Sequence, residues 1–403
     1  MGLLTIHFNK VRFMKYAVAL PCFVYFIMGC KKLGVPANSD DSLPLAVNES
    51  ASDYAPKLDL PTSQATAIPL DSSQPFLDIR GVGDSAWSGL RAAAAPKSEF
   101  GATLKKFDPT GSILRGDLNF INWESGVGRK CNSYFNVDYA FLSVPEAIIE
   151  AHRHGFNLFG LANNHSEDCR TGVDPDMKSV PGAVSTQRHM QQISNSSALA
   201  WHGVGSTRAE LVKPAQLELT VKGRVVKVAF ISVAFQGWDC VESTCEANVQ
   251  KLFENARNTP ADLRVLSLHS QGRDGFVRGK AWAEKFVTEY AGDIVFAHGP
   301  HTWAGVKALR KKDGSLGVVF HGLGNFLHNQ VAPNPDNLIG RVLLDLDTLR
   351  PRQIQVIPVL NNAYNVDVVL ASSSKSFPLA NFNWARAELK AHTKINLGYA
   401  QLP

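Results

Sequence analysis

Several common signatures are missing from this chain, and each absence removes a class of function. It has no Gly-x-Ser-x-Gly elbow for a serine nucleophile and no Gly-Lys-Ser/Thr loop to cradle a nucleotide phosphate. It has no internal repeat and no basic stripe interleaved with aromatics. Charge is sparse: charged residues make up 19% of the 403, and the formal net charge of +5 falls to about +2 once Lys10, Arg12 and Lys15 leave with a leader. That excludes a nucleic-acid partner. With 45% hydrophobic residues the chain can fill one large core or two joined ones, so it is globular.

The N-terminus carries a leader. Lys10, Arg12 and Lys15 precede the apolar run "YAVALPCFVYFIM", too short to span a membrane, and then Gly29 and Cys30. "IMGCKK" resembles a bacterial lipobox, which implies a lipoprotein signal peptide over residues 1–29 and a lipid on Cys30, anchoring an exported protein in the bacterial cell envelope. The alternative is an uncleaved N-terminal anchor with an ordinary cysteine, and Met14 is an alternative start. Residues 30–75 are rich in Ser, Asp, Pro, Ala and Asn, cannot bury enough apolar surface to offset chain entropy, and read as a flexible linker. Residues 76–403 form the folded domain, with room for a C-terminal subregion after Gly340.

Four cysteines fall in that domain. An even number in an exported protein favours disulfides; the short spacing of Cys240 and Cys245 allows a small loop, which leaves Cys131 to pair with Cys169. No second pair stands at zinc-site spacing.

Helices alternate with buried strands. "SVPEAIIEAHRHG" predicts a helix with Ser143 and Glu146 as a capping box, Pro145 in the first turn and Gly155 as the stop. "FVRGKAWAEKFVTEYAG" predicts an amphipathic helix with Trp282, Phe286 and Tyr290 on its apolar side. "FNLFGLA", "VVKVAFISVAF", "RVLSLH" and "DIVFAH" read as buried strands, and "KKDGSLGVVF" as a hairpin about Asp313 and Gly314. The pattern is α/β, in which ligands gather beyond the strand C-termini.

Polar residues collect at those ends. Asn122 and Glu124, Asn164 and His165, His269, and His298 with His301 each follow a separate apolar run. Each histidine alone reads as an ordinary loop residue, but their joint placement makes a nitrogen and oxygen donor set suited to Mn, Fe, Zn or Ni in a site of one or two divalent ions. His202 and His321 close apolar runs as well and are held in reserve. "GVGDSA" has the outline of a dinucleotide loop, a weak pattern by itself.

"NFINWES", "GFNLFGLANNHSED", "WHGVGSTRAEL", "SLHSQG", "GDIVFAHGPHTWAGVKAL" and "VFHGLGNFLHN" together resemble the CapA-type poly-γ-glutamate capsule biosynthesis family. The resemblance implies a metallophosphatase-like four-layer α-β-β-α sandwich with a metal centre at one edge of the paired sheets. Matched position by position, it implies Asp84, Glu124, Asn164, His269, His298 and His301 as ligands, although "HSQG" stands where the family has His-Trp-Gly. His165 then falls where a general acid is needed, with a partner role toward a carboxylate such as Asp168 as the other reading. Arg170 and Arg273 are candidates to hold a substrate carboxylate or phosphate, against the plain reading of solvated arginines. Two functions follow from the resemblance: a metal-dependent hydrolase or transferase acting on a γ-glutamyl or phosphoester bond of a cell-surface polymer, or a non-catalytic lipoprotein that binds an anionic polymer.

Overall fold

A computed structural model describes residues 75–90, 95–135, 139–235, 244–331, 334–361, 366–368 and 398–401. The expected signal peptide over residues 1–29, the expected lipidation site Cys30, the expected linker as far as residue 74, and Cys240 lie outside the described residues. All described residues belong to one compact unit, and none of their helices is long and apolar enough to cross a membrane.

In chain order the principal elements are β1 (Phe76–Ala86), α1 (Phe100–Phe107), β2 (Leu118–Trp123), α2 (Pro145–Arg153), β3 (Leu158–Gly160), α3 (Gly182–Ser194) and β4 (Ala200–His202). Then come β5 (Ala215–Val221), β6 (Arg224–Phe235), α4 (Val249–Asn258), β7 (Leu263–Ser270), α5 (Gly272–Tyr290) and β8 (Ile294–His298). The last are β9 (Val306–Arg310), β10 (Leu316–Phe320), β11 (Asn325–His328), β12 (Asn334–Asp345) and β13 (Pro351–Asn361).

The result is a mixed α/β fold around two large sheets. One runs β4-β3-β2-β1-β12-β13, with β11 beside β1; the other runs β5-β6-β7-β8-β10-β9. Within them β1 to β4, and β6, β7, β8 and β10, pair in parallel, and the connections β2-α2-β3, β3-α3-β4, β6-α4-β7 and β7-α5-β8 are helical, as a parallel ladder requires. One apolar cluster, including Phe120, Phe230, Phe296 and Phe320, lies between the sheets; the Phe120 and Phe296 rings stack 5.1 Å apart, 2° from parallel. A second cluster packs α1, α2 and α3 on the outer face of the first sheet, and a third packs α4 and α5 on the outer face of the second. Sheets covered on both faces explain why their strands read as unbroken apolar runs.

Two expectations are corrected. The helix after Ser143 forms, but its N-cap is Val144 and no side chain caps it; Ser143 ends the strand Phe141–Ser143 and its hydroxyl lies 2.6 Å from that of Ser125. The chain beyond Gly340 does not form a subregion of its own as far as Asn361, because β12 pairs with β1 along Phe76–Gly81 and β13 pairs with β12. "GVGDSA" lies inside β1, so no phosphate-binding turn exists there. The hairpin turns at Gly314, in the left-handed region with φ 84°. In α5, Phe286 and Tyr290 are buried, Trp282 packs half-buried against the same cluster, and Val277 on the opposite face is 57% exposed.

Candidate metal centre

The C-terminal ends of β1, β2, β7, β8 and β11 bring one set of polar side chains together. Asp84 stands next to Asn122 and Asn325 in strand register, and His269 is registered with His298. Asp84 is fully buried and held from three sides. Its backbone N–H donates to the Gly324 carbonyl at 2.9 Å, its Oδ1 accepts from Asn122 Nδ2 at 2.7 Å, and its Oδ2 accepts from the Gly299 N–H at 2.9 Å. The preceding glycine is obligatory, since a Cβ on Gly83 would lie 1.8 Å from the Gly324 oxygen.

Three imidazoles face that carboxylate. His298 Nδ1 is 3.0 Å and His269 Nδ1 3.6 Å from Oδ1, and His301 Nδ1 is 3.5 Å from Oδ2. Burial alone would raise the Asp84 carboxyl; hydrogen bonding and charge from His269 and His298 outweigh it and hold it well below the usual range. His298 is oriented by Ser267, whose hydroxyl lies 3.0 Å from Nε2. His301 adopts the left-handed region, φ 58°, and Asn325 Oδ1 stands 2.6 Å from its Nδ1. A left-handed histidine costs roughly 1 kcal/mol or more and persists only where its surroundings over-determine it.

Glu124 follows β2 and is 0% exposed. Neither of its carboxylate oxygens has a hydrogen-bond partner among the described residues. His269 Nε2 stands 3.8 Å from Oε1 and His328 Nε2 3.9 Å from Oε2, too far for hydrogen bonds, and both nitrogens are likewise buried and unpartnered. Burial, followed by the charges of Asp84 and Asp168, pushes the Glu124 carboxyl well above its ordinary value, and burial drives His269 down to about 4 and His328 to about 3. Such a group of orphaned atoms is costly unless a cation sits among them. Donor atoms of Asp84, His269 and His298, and of Asp84, Glu124 and His301, converge within 4.8 Å of one another, the reach of ligands to one ion.

The Asn-Asn-His loop divides its work. Asn163 holds the loop in place: its Nδ2 donates to the Trp123 carbonyl at 2.8 Å and its Oδ1 accepts from the His165 N–H at 3.0 Å. Asn164 Oδ1 is buried without a hydrogen-bond partner among the described residues. His165 Nδ1 lies 2.6 Å from Asp168 Oδ2, which also accepts from the Phe141 N–H at 2.8 Å, and the Phe141 ring packs 4.3 Å from His165 and 4.9 Å from His328.

Two reserve histidines lie elsewhere: His202 Nδ1 accepts from the Ser232 N–H at 2.9 Å, and His321 Nε2 is 3.3 Å from Glu284. Arg170 is exposed with its guanidinium 5.6 Å from the Phe135 ring, and Arg273 is exposed in the first turn of α5. His328 and Asn325 were not singled out from the sequence, although "VVFHGLGNFLH" closes an apolar run as the segments carrying the candidate ligands do.

The model of the bacterial capsule synthesis protein family PGA_cap matches residues 79–330, a span that includes all of these side chains. The chain belongs to this family. Among solved structures, this PGA_cap protein is similar to a novel phosphatase from Mycoplasma pneumoniae, with 10% identity over 72% of this chain and 95% of that one and a TM-score of 0.42. It is also similar to a hypothetical protein from Thermus thermophilus, with 13% identity over 72% of this chain and 98% of that one and a TM-score of 0.37. No curated protein matches it.

Proposed function

We propose that this PGA_cap protein is an exported, lipid-anchored, metal-dependent hydrolase or transferase that cleaves a γ-glutamyl or phosphoester bond of an anionic cell-surface polymer. The observation that carries the reading is Glu124: a buried carboxyl whose two oxygens meet no donor among the described residues, flanked by buried imidazole nitrogens that meet no acceptor among them. Asp84, Glu124, His269, His298 and His301 would hold a divalent cation, Mn, Fe, Zn or Ni by its donor set, with Asn164 Oδ1 and His328 Nε2 as further donors nearby. The cation would supply charge that polarises the bond under attack and acidifies bound water.

The protein's own groups do the rest. Asp84 stays ionised because His269 and His298 stabilise its charge. His165 sets Nδ1 against Asp168; as a doubly protonated imidazolium it would pass its Nε2 proton to the departing oxygen or nitrogen and be left as the neutral tautomer with Nδ1–H on Asp168. The exposed Arg170 and Arg273 offer cationic partners to polymer carboxylates or phosphates. A disulfide between Cys131 and Cys169, with Cys245 also disulfide-bonded, favours an oxidising compartment and supports export by way of Cys30. The two sheets with helices outside each support counting the fold as a four-layer metallophosphatase-type sandwich.

The test is turnover. Full-length protein loaded with each of the four metals should hydrolyse bis(p-nitrophenyl) phosphate or a γ-glutamyl anilide, and Glu124→Gln should abolish it. A loaded protein that cleaves neither yet retains an anionic polymer would instead be a binding lipoprotein.

A further inference from the structure

Asp168 is followed directly by Cys169, and Cys169 is bonded to Cys131. The two cysteines lie in adjacent strands of a small sheet, Cys131–Tyr134, Cys169–Val173 and Ser179–Pro181, set apart from the two large ones. This sheet has almost no core of its own. Its outer strands are largely exposed, and among the described residues the apolar cluster beneath it consists of Cys131, Leu142 and Cys169, with Ala95 and Tyr134 partly buried against them. A sheet that buries so little needs a covalent staple to keep its shape.

The staple's position matters because of what lies beside it. Asp168 uses its carbonyl to accept from the Phe135 N–H at 3.0 Å, and its carboxylate to bind the Phe141 N–H and His165 Nδ1. The start of α3 presses on the same point, since a Cβ on Gly182 would lie 1.6 Å from the Cys169 oxygen. We infer that the Cys131–Cys169 disulfide is a positioning element of the active site: it fixes Asp168, and through Asp168 the His165 imidazole, so that the proton-delivering side of the centre is complete only in the oxidised protein. The inference rests on the role proposed above for His165, while its structural half stands without it.

Two readouts on the full-length protein separate these halves. The first is amide hydrogen exchange, compared between oxidised protein, folded protein reduced in place with a phosphine, and a Cys131→Ala/Cys169→Ala pair. Opening the bond should speed exchange at Phe135 and Phe141 by about tenfold or more while amides of β6 and β7 are unchanged. The second uses aryl phosphodiesters that differ in leaving group. Loss of an acid penalises a poor leaving group most, so the cysteine pair and Asp168→Asn should each slow a phenyl ester by about tenfold more than a nitrophenyl ester, and adding His165→Asn to the cysteine pair should lose no more than His165→Asn alone.

Unchanged exchange at Phe141 after reduction would overturn the proposal whether or not the protein is an enzyme. So would a rise in exchange across β6 and β7 as well, since the bond would then be a staple of the whole fold. Equal slowing of both esters would overturn the link to His165 and leave the metal-centre reading intact.

Discussion

Glu124 is the residue on which the most depends. Its carboxyl is raised by burial first and by the Asp84 and Asp168 charges second, so without a cation it carries a proton at pH values where an ordinary glutamate has none. A cation that binds there must displace that proton. Metal addition to cation-free protein should therefore release protons at pH values above the ordinary glutamate range, detectable with an indicator dye, and affinity should rise with pH; Glu124→Gln should remove the release attributable to this group. Glu124, His269, His298 and His301 were legible in the sequence because each follows an apolar run that forms a strand. Asp84 was legible only through family resemblance, because it lies within a strand that continues to Ala86. Asn164 was read as a donor only through the same resemblance, and the loop-holding role of Asn163 was not legible, because neighbouring amides of one loop point apart according to backbone turns that composition does not encode.

At the scale of elements, the centre depends on backbones that approach closely. Gly83→Ala would drive a methyl into the Gly324 carbonyl, which no rotamer change relieves, and should cost about 3 kcal/mol and displace Asp84. Thermal unfolding and metal uptake should both fall. The layers behind the centre depend on Phe120 and Phe296, and Phe296→Ala should cost about 3–5 kcal/mol by chemical denaturation. Element type was read correctly from periodicity where elements are long, as in α5 and β6. The start of α2 was misread because Ser143 and Glu146 have capping-box spacing, whereas the pairing of Ser143 with strand neighbours and with Ser125 prevails over local capping. The partnership of β1 with β12 was invisible, since a pairing between the two ends of the domain leaves no local pattern.

For the whole molecule, pH is a lever independent of the candidate metal centre. His202 is buried, accepts from the Ser232 N–H and is pushed by burial down to about 4 from an ordinary 6.5. The folded state holds it neutral while the unfolded chain protonates it, so the unfolded state binds more protons between those values. Stability from this group is present in full above about pH 6.5 and declines as pH falls toward 4, by about 3 kcal/mol in all. Thermal melts of cation-free protein should show that decline, and His202→Gln, even if less stable, should show a shallower one.

The most direct test of the account is the number of metal ions per chain in the purified full-length protein. One or two Mn, Fe, Zn or Ni ions are expected, with Glu124→Ala and the pair His298→Ala/His301→Ala losing them while remaining folded. A native protein that is free of metal and takes up none of the four from micromolar solution would contradict the account at its centre.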